Sequence, residues 1–472
     1  MKVVIFGTGM IYQQNRAWIP ASDVLAFIDN DINKQGSYLN GIQITTPDNI
    51  LTLPYDKIVL MSARLQEMKN QLLSMGIPED SIWTWKRYKY ECLRGVLKLF
   101  CYHDEQNTYK ERILIISQHL EYGGATMAAI HALKALQLRK YQVVLAAPSG
   151  DKALIEEMSG PEGINIIICP LLCYLDKDDM YWIKQFDAVI VNVFPMLPCA
   201  CEISKIKPVL WWLHEVKAAY GWVQEEFPQY DNISEMENIN IAAVSEIAKE
   251  NFEEYYPDRV NHVLPYGIPD EYIPTASKKE NDKFTFAIIG GIDERKATKI
   301  FVEAIMNFTK EELKGLEFLI IGFYSEDAYY REVKALADKI PQIKFTGTLT
   351  REEMKKVYQE IDVVVCSSIE ETMSIVVTEG MMHEKVCITT ETTGIAEYIV
   401  NGNNGFICKT GDFKSLWNTM KWITEHRNEL QSIRSNARET YLKYFSLESF
   451  GERLERLIVD TERKFDGLAS SD

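Results

Sequence analysis

The chain has 472 residues, of which 46% are hydrophobic and 25% charged. That is ordinary globular composition, with a length prior of about three domains. Its 68 acidic and 51 basic residues leave a net charge of -17, which argues against a general nucleic-acid binder. No run of about 18 uncharged apolar residues is present to span a membrane. The nine cysteines form no Cys-x-x-Cys pair and stand near no histidine array. They are expected as small core residues in a reducing cytoplasm, and no metal or cofactor is expected.

The first unit runs over residues 1–85. Lys2–Phe6 enters a strand at once, with no signal-peptide core ahead of it. Gly7-Thr8-Gly9 follows, then a second strand, Val24–Ile28, ending at Asp29. Glycines at the first turn and an acid about twenty residues later open a Rossmann-like unit. Gly7, Gly9 and Asp29 are therefore its candidate ligand contacts, with a structural or docking role as the alternative. Tyr12 stands where the third glycine of that fingerprint belongs, and there it would crowd the helix–sheet packing or block a pyrophosphate. Ile58–Met61 reads as a further strand, Arg64–Met75 as an amphipathic helix, and Gly76-Ile77-Pro78 as its stop. The unit resembles small nucleotide- or sugar-binding domains fused to bacterial sugar-modifying enzymes.

Residues 86–111 read as a linker. Lys86, Arg87, Lys89, Arg94 and Lys98 mix there with aromatic and aliphatic residues. The preferred reading is a helix between domains. The other is an island at an anionic membrane surface. The chain is thus expected in the cytoplasm, with room for peripheral attachment at the inner face of the membrane.

Residues 112–273 form the next α/β unit. Ile113–Ile116 is a strand, and Gly123-Gly124 opens a helix from about Thr126 to Leu138. Val143–Ala147, Ile166–Ile168 and Ala188–Val191 continue the strand pattern. Val209–Leu213 ends at His214-Glu215, where open α/β sheets place ligand contacts. Ile241–Val244 and His262–Leu264 close the unit. Residues 274–283 are polar and read as an exposed linker. The third unit, 274–446, then alternates strand and helix: Phe284–Ile289 into Gly290 to Lys296, Leu316–Ile321, Ile343–Phe345, a helix over Arg351–Ile361, and Val386–Thr389. Such regularity means a parallel sheet covered on both faces. The last piece, 447–472, is helical from Leu447 to Phe465.

The most informative stretch is Ile361 to Met382. Val363–Cys366 is β-branched like a buried strand, Ser367 and Ser368 leave the sheet, and Glu371 and Glu379 stand eight residues apart. Thr372 or Ser374 is expected to cap the short helix that carries Glu379. Free amides at that helix end suit a diphosphate, and each carboxylate suits a diol. A nucleotide-sugar has both.

Residues 112 to about 465 resemble the retaining glycosyltransferases of family 4, which have the GT-B fold of two facing Rossmann-like domains. The resemblance rests on Gly123-Gly124, His214, Gly290 to Lys296, Gly347, Glu371 to Glu379 and Gly394 to Glu397. It implies that Glu379 holds the donor ribose, Glu371 the donor sugar, and the Thr372-Met373-Ser374 backbone the sugar and phosphate. It also implies that Gly124 lies at the donor, Lys296 grips the diphosphate, His214 lies beside the transferred sugar, and the final helix crosses back onto the first GT-B domain. Two positions depart from the family. Gly291 replaces an arginine, whose charge is expected to fall to Arg295. Thr372 and Ser374 replace a glycine pair, which is expected to narrow the sugar pocket.

The implied activity is metal-independent transfer of a hexose-type sugar, with retention, from a nucleotide-sugar, foremost a UDP-sugar. The acceptor is a saccharide, a lipid-linked group or a protein, and the setting bacterial cell-surface polysaccharide or glycoconjugate synthesis. Catalytic roles fall to His214, Arg295, Lys296 and Glu371. The rival readings are a nucleotide-sugar sensor or scaffold without chemistry and a GT-B-type sugar epimerase. No nucleic-acid partner is expected, and the oligomeric state is not legible.

Overall fold

The computed structural model describes residues 1–16, 19–101, 109–174, 179–220, 230, 236–272 and 283–469. The chain divides into two compact units, Met1–Val96 and Leu97–Asp472.

The first unit is built on strands β1 (Val3–Phe6), β2 (Val24–Ile28), β3 (Tyr38–Leu39), β4 (Ile42–Thr45), β5 (Lys57–Leu60) and β6 (Ile82–Thr84). Their order in the sheet is β3-β4-β2-β1-β5-β6, parallel except for the β3–β4 hairpin. The apolar runs bury against both faces, as a parallel sheet requires. Tyr12 lies in the core with its ring edge-on to Phe27 at 5.3 Å, so its bulk is absorbed by packing. Of the expected linker at 86–111, residues 102–108 lie outside the described residues, and the helix expected there is present. Thr84 caps a helix over Trp85–Leu93, which buries Tyr88 in the first unit's core.

The second unit contains two sheets. Its first half comprises β7 (Lys98–Phe100), β8 (Arg112–Ile116), β9 (Gln142–Ala147), β10 (Asn165–Ile168), β11 (Ala188–Asn192), β12 (Val209–Leu213), β13 (Ile239–Ala243) and β14 (His262–Val263), in the order β14-β13-β12-β11-β8-β9-β10-β7. Only the edge strand β7 is antiparallel. It too comes from the expected linker, because Leu99 and its neighbours satisfy the free edge of β10.

The second half comprises β15 (Phe284–Ile289), β16 (Leu316–Ile321), β17 (Ile343–Gly347), β18 (Val363–Val365), β19 (Val386–Thr390) and β20 (Phe406–Cys408). It is a parallel sheet in the order β17-β16-β15-β18-β19-β20. The helix expected over 351–361 runs Arg351–Glu360 and starts on a capping box between Thr350 and Glu353. Of the polar linker expected at 274–283, all but Lys283 lies outside the described residues.

The final helix, Leu447–Ala469, leaves the second half and packs on the first. Glu455 there receives Lys110, Arg139 and Tyr141. Thr461 accepts from Asn240, and Phe450 stacks on Trp212 at 5.5 Å. The two halves therefore share one apolar core besides the second half's own. This is the two-sheet GT-B architecture, with the carboxyl ends of both sheets turned toward each other.

Candidate active site

On the second half, β18 runs out through Cys366, Ser367 and Ser368 into Glu371, and the helix Ile375–Met382 follows. Ser374 occupies the expected cap position, but its side chain makes no capping bond. Its hydroxyl donates to Cys366 Sγ at 3.7 Å instead. The first-turn amides of this helix are thus left to an acceptor from outside the helix, the arrangement that favours an anion. Glu379 sits one turn further on. Its Oε2 accepts the Tyr358 hydroxyl at 2.6 Å. Burial pushes the Glu379 carboxyl up, partly countered by the Tyr358 bond.

Lys296 arrives from the loop after β15. Its Nζ stands 2.7 Å from Glu371 Oε1, and both side chains are largely shielded from solvent. Glu371 Oε2 accepts the Ser368 hydroxyl at 2.8 Å. Lys296 is held from two sides: its backbone N donates to Asp293 of its own loop, and Ser367 Oγ after β18 donates to its carbonyl at 3.0 Å. Arg295 points to the same corner, donating from Nη1 to the Glu370 carbonyl at 3.3 Å. A small cavity lies beside these groups, lined by Gly290, Gly291, Lys296, Ser367, Ser368 and Ser374.

The first half supplies the opposite wall. His214 follows β12, and its ring lies 4.4 Å from that of Trp212. Burial pushes the imidazole down to about 3, so it is neutral at pH 7. Its Nε2 is buried without a hydrogen-bond partner among the described residues. Glu215 Oε2 accepts the His214 backbone N–H at 2.9 Å. Burial lifts the Glu215 carboxyl to about 7, against backbone donors from His214, Phe194 and Glu215 itself. Gly124 opens its helix two residues earlier than expected, and a Cβ there would stand 3.8 Å from Ile375 Cδ1.

Across the gap, Thr372 Oγ1 donates to the His214 carbonyl at 2.7 Å. Glu370 Oε1 accepts from Lys217 N at 3.1 Å and from Asn251 Nδ2 at 3.3 Å. Glu397 accepts from Glu246 N. The structure thus brings His214, Arg295, Lys296, Glu371, Thr372 and Gly124 to one place, with Met373 buried beneath and Glu379 a turn away. The hydroxyls of Thr372 and Ser374 are both spent on protein partners: Thr372 joins the two walls of the site, and Ser374 braces its own. Sequence reasoning missed Glu370, Glu215, Ser368 and Tyr358. The doublet Glu370-Glu371 and the acid beside His214 were visible, but loop charges carry no periodicity to mark them.

In the first unit, Gly7, Gly9 and Asp29 line a cleft at the carboxyl ends of β1, β2 and β5, together with Lys34, Ser62 and Arg64. Gly7 has φ +99°, and a Cβ there would lie 2.7 Å from the Met61 carbonyl. Asp29 is heavily engaged: it accepts from Thr8 N, Thr8 Oγ1, Asp31 N and Lys34 Nζ at 2.6 to 3.2 Å. Burial alone would raise its carboxyl, but these donors outweigh that and hold it below the usual range. The carboxylate that the glycine pattern offers to a ligand closes the glycine loop itself.

Among the described residues, no group of three or more His, Cys, Asp or Glu side chains is placed to hold a metal ion. No described helix is long and apolar enough to cross a membrane.

Comparison with known proteins agrees with this architecture. Residues 270–440 match the family model described as Glycosyl transferases group 1, and residues 1–83 match one described as C2185-like, N-terminal. The chain is 28% identical over 149 residues to sulfoquinovosyl transferase SQD2 of Arabidopsis thaliana, covering 31% of this chain and 29% of that protein. It is 26% identical over 180 residues to the capsular polysaccharide biosynthesis glycosyltransferase CapM of Staphylococcus aureus, covering 38% and 46%. These curated relatives are therefore matched over less than half their length. Among solved structures, Anabaena HepE in complex with UDP and glucose superposes with a TM-score of 0.62 at 16% identity, covering 74% of this chain and all of that one. At that identity the likeness is one of fold: a GT-B glycosyltransferase fold, with the group 1 match lying on its second half.

Proposed function

We propose that this protein is a retaining, metal-independent glycosyltransferase that moves a hexose-type sugar from a nucleoside-diphosphate donor. The observation that carries the reading is the Lys296–Glu371 pair, 2.7 Å apart beside an uncapped helix end, with the adjoining Thr372 bonded to the His214 carbonyl. In this reading the donor diphosphate takes Lys296 and Arg295 as its counter-charges. Glu371 is released to accept hydroxyls of the sugar, and Glu379 accepts those of the ribose. As the glycosidic bond breaks, negative charge grows on the leaving phosphate. Lys296, Arg295 and the amides of the 375–382 helix are already aimed there, which is electrostatic preorganisation. Neutral His214 presents its ring beside the sugar without adding a positive charge to an oxocarbenium-like transition state. The acceptor attacks from the face the diphosphate leaves, and the leaving phosphate takes the acceptor proton. No side chain acts as a covalent nucleophile.

The acceptor class we infer is a saccharide, lipid-linked group or protein in surface polysaccharide or glycoconjugate synthesis, as the name of CapM suggests for that relative. The complex of HepE with UDP and glucose directs the donor search to UDP-sugars first. The test is product analysis with a panel of labelled nucleotide-sugars and acceptors, including anomeric configuration. Transfer with retention supports the reading. Binding without turnover favours a sensor or scaffold, and an altered free sugar favours an epimerase.

A further inference from the structure

We propose that Glu370 and Thr372, the residues on either side of Glu371, are positioning residues that form a latch. They fix the separation between Glu371 on the donor half and His214 on the first half. The consequence for turnover rests on the function proposed above, but the latch itself does not.

The argument starts from where the bonds fall. Thr372 Oγ1 donates to the carbonyl of His214 at 2.7 Å. The N–H of His214 donates to Glu215 Oε2, so both backbone polar groups of His214 are paired. Glu370 Oε1 receives the backbone N–H of Lys217 and the amide of Asn251, which fixes the loop after β12 and the helix Glu246–Glu253 together. Glu371 lies between these two anchors. Its own carbonyl accepts from Gly394 N at 2.9 Å. Gly394 lies so close to both halves that a Cβ would stand 2.0 Å from the Thr372 carbonyl oxygen and 2.5 Å from Ser245 Cβ. One hydroxyl and one carboxylate therefore join the loop that carries His214 to the turn that carries Glu371. Thr372 is only 8% exposed, so little water competes for its bond. Misplacing a group near a reacting centre by about 1 Å can cost about a hundredfold in rate, and these two contacts set such a distance.

The test uses the full-length protein and four forms: wild type, Thr372→Val, Thr372→Ser and Glu370→Ala. Valine keeps the volume and removes the hydroxyl, and serine restores it. Amide hydrogen exchange by mass spectrometry, with no ligand added, reads peptides covering 214–217. Steady-state kinetics read kcat and donor KM separately. We expect exchange in that segment to rise about tenfold or more in Glu370→Ala and measurably in Thr372→Val, with Thr372→Ser at the wild-type rate. We expect kcat of Thr372→Val to fall about tenfold at a donor KM within about twofold, and Thr372→Ser to recover to within about twofold. Unchanged exchange in both Glu370→Ala and Thr372→Val would overturn the latch. So would a serine variant as impaired as the valine one, since the hydroxyl would then not be the agent. If wild type transfers no sugar, the proposed function fails, while the exchange arm still decides the latch.

Discussion

Glu215→Gln should change how stability depends on pH. The Glu215 carboxyl is lifted by burial from its ordinary 4.5 to about 7. A carboxyl whose pKa is raised by folding binds its proton more tightly in the folded state. The stability it contributes is therefore fully present below about pH 4.5 and is lost as pH rises to about 7. At about 1.36 kcal/mol per pH unit, the rise from 4.5 to about 7 is worth about 3 kcal/mol, and partial exposure brings that nearer 2. Glutamine keeps an acceptor for the His214 N–H but cannot titrate. Glu379, Glu397 and Glu462 are also raised by burial, so the wild-type curve alone is not diagnostic, whereas the difference between wild type and variant isolates Glu215. Urea denaturation at intervals from pH 4.5 to 8 measures it. The stability difference should move in favour of the variant by about 2 kcal/mol across that range. A difference that stays constant with pH would show that the Glu215 carboxyl is not raised, and the enclosed setting given to the His214 loop would be wrong.

Further outcomes follow from the same geometry. Lys296→Ala should lower turnover by about two to three orders of magnitude with folding intact, the scale for one preorganised charge; near-normal kcat would remove Lys296 from the machinery. Transfer should persist in chelator; its loss there and return with magnesium or manganese would contradict the metal-independent mechanism. Gly394→Ala should destabilise the protein by about 1–3 kcal/mol, since its Cβ would overlap both the Thr372 carbonyl on its own half and Ser245 on the other; an unchanged thermal midpoint would mean these groups do not meet there as described.

Much of this molecule could be read in advance because buried parallel strands announce themselves. Val209–Leu213 is a continuous apolar run and Phe284–Ile289 is one broken only by Thr285; each is closed by a small or polar residue and is a strand ending at the site. The β3–β4 hairpin was missed although Asn40-Gly41 stands at its turn, with φ +51° and +80°; that dipeptide is a strong two-residue hairpin signal. Strand β7 was missed because Lys98-Leu99-Phe100 has no apolar face of its own. It forms only because β10 offers an edge, a tertiary effect that local pattern cannot reveal. At the site, Glu371 and Glu379 were singled out by their spacing after a buried strand, and Lys296 by the family resemblance. That Thr372 would spend its hydroxyl on His214 depends on atoms brought together across more than a hundred residues of chain, and that Ser374 would spend its own on Cys366, eight residues back, depends on how the turn between them folds.

The most direct test of the nucleotide-sugar reading is calorimetric titration of UDP and of UDP-glucose into wild type, Glu371→Ala and Glu379→Ala. Glu379→Ala should weaken both ligands, because its assigned partner is the ribose. Glu371→Ala should spare UDP and weaken only the sugar-bearing ligand. Each loss should be about 1.5–3 kcal/mol, the scale of hydrogen bonds to a charged group. Equal loss of UDP binding in both variants, or no binding of either ligand to wild type with any other nucleotide-sugar equally silent, would contradict the account.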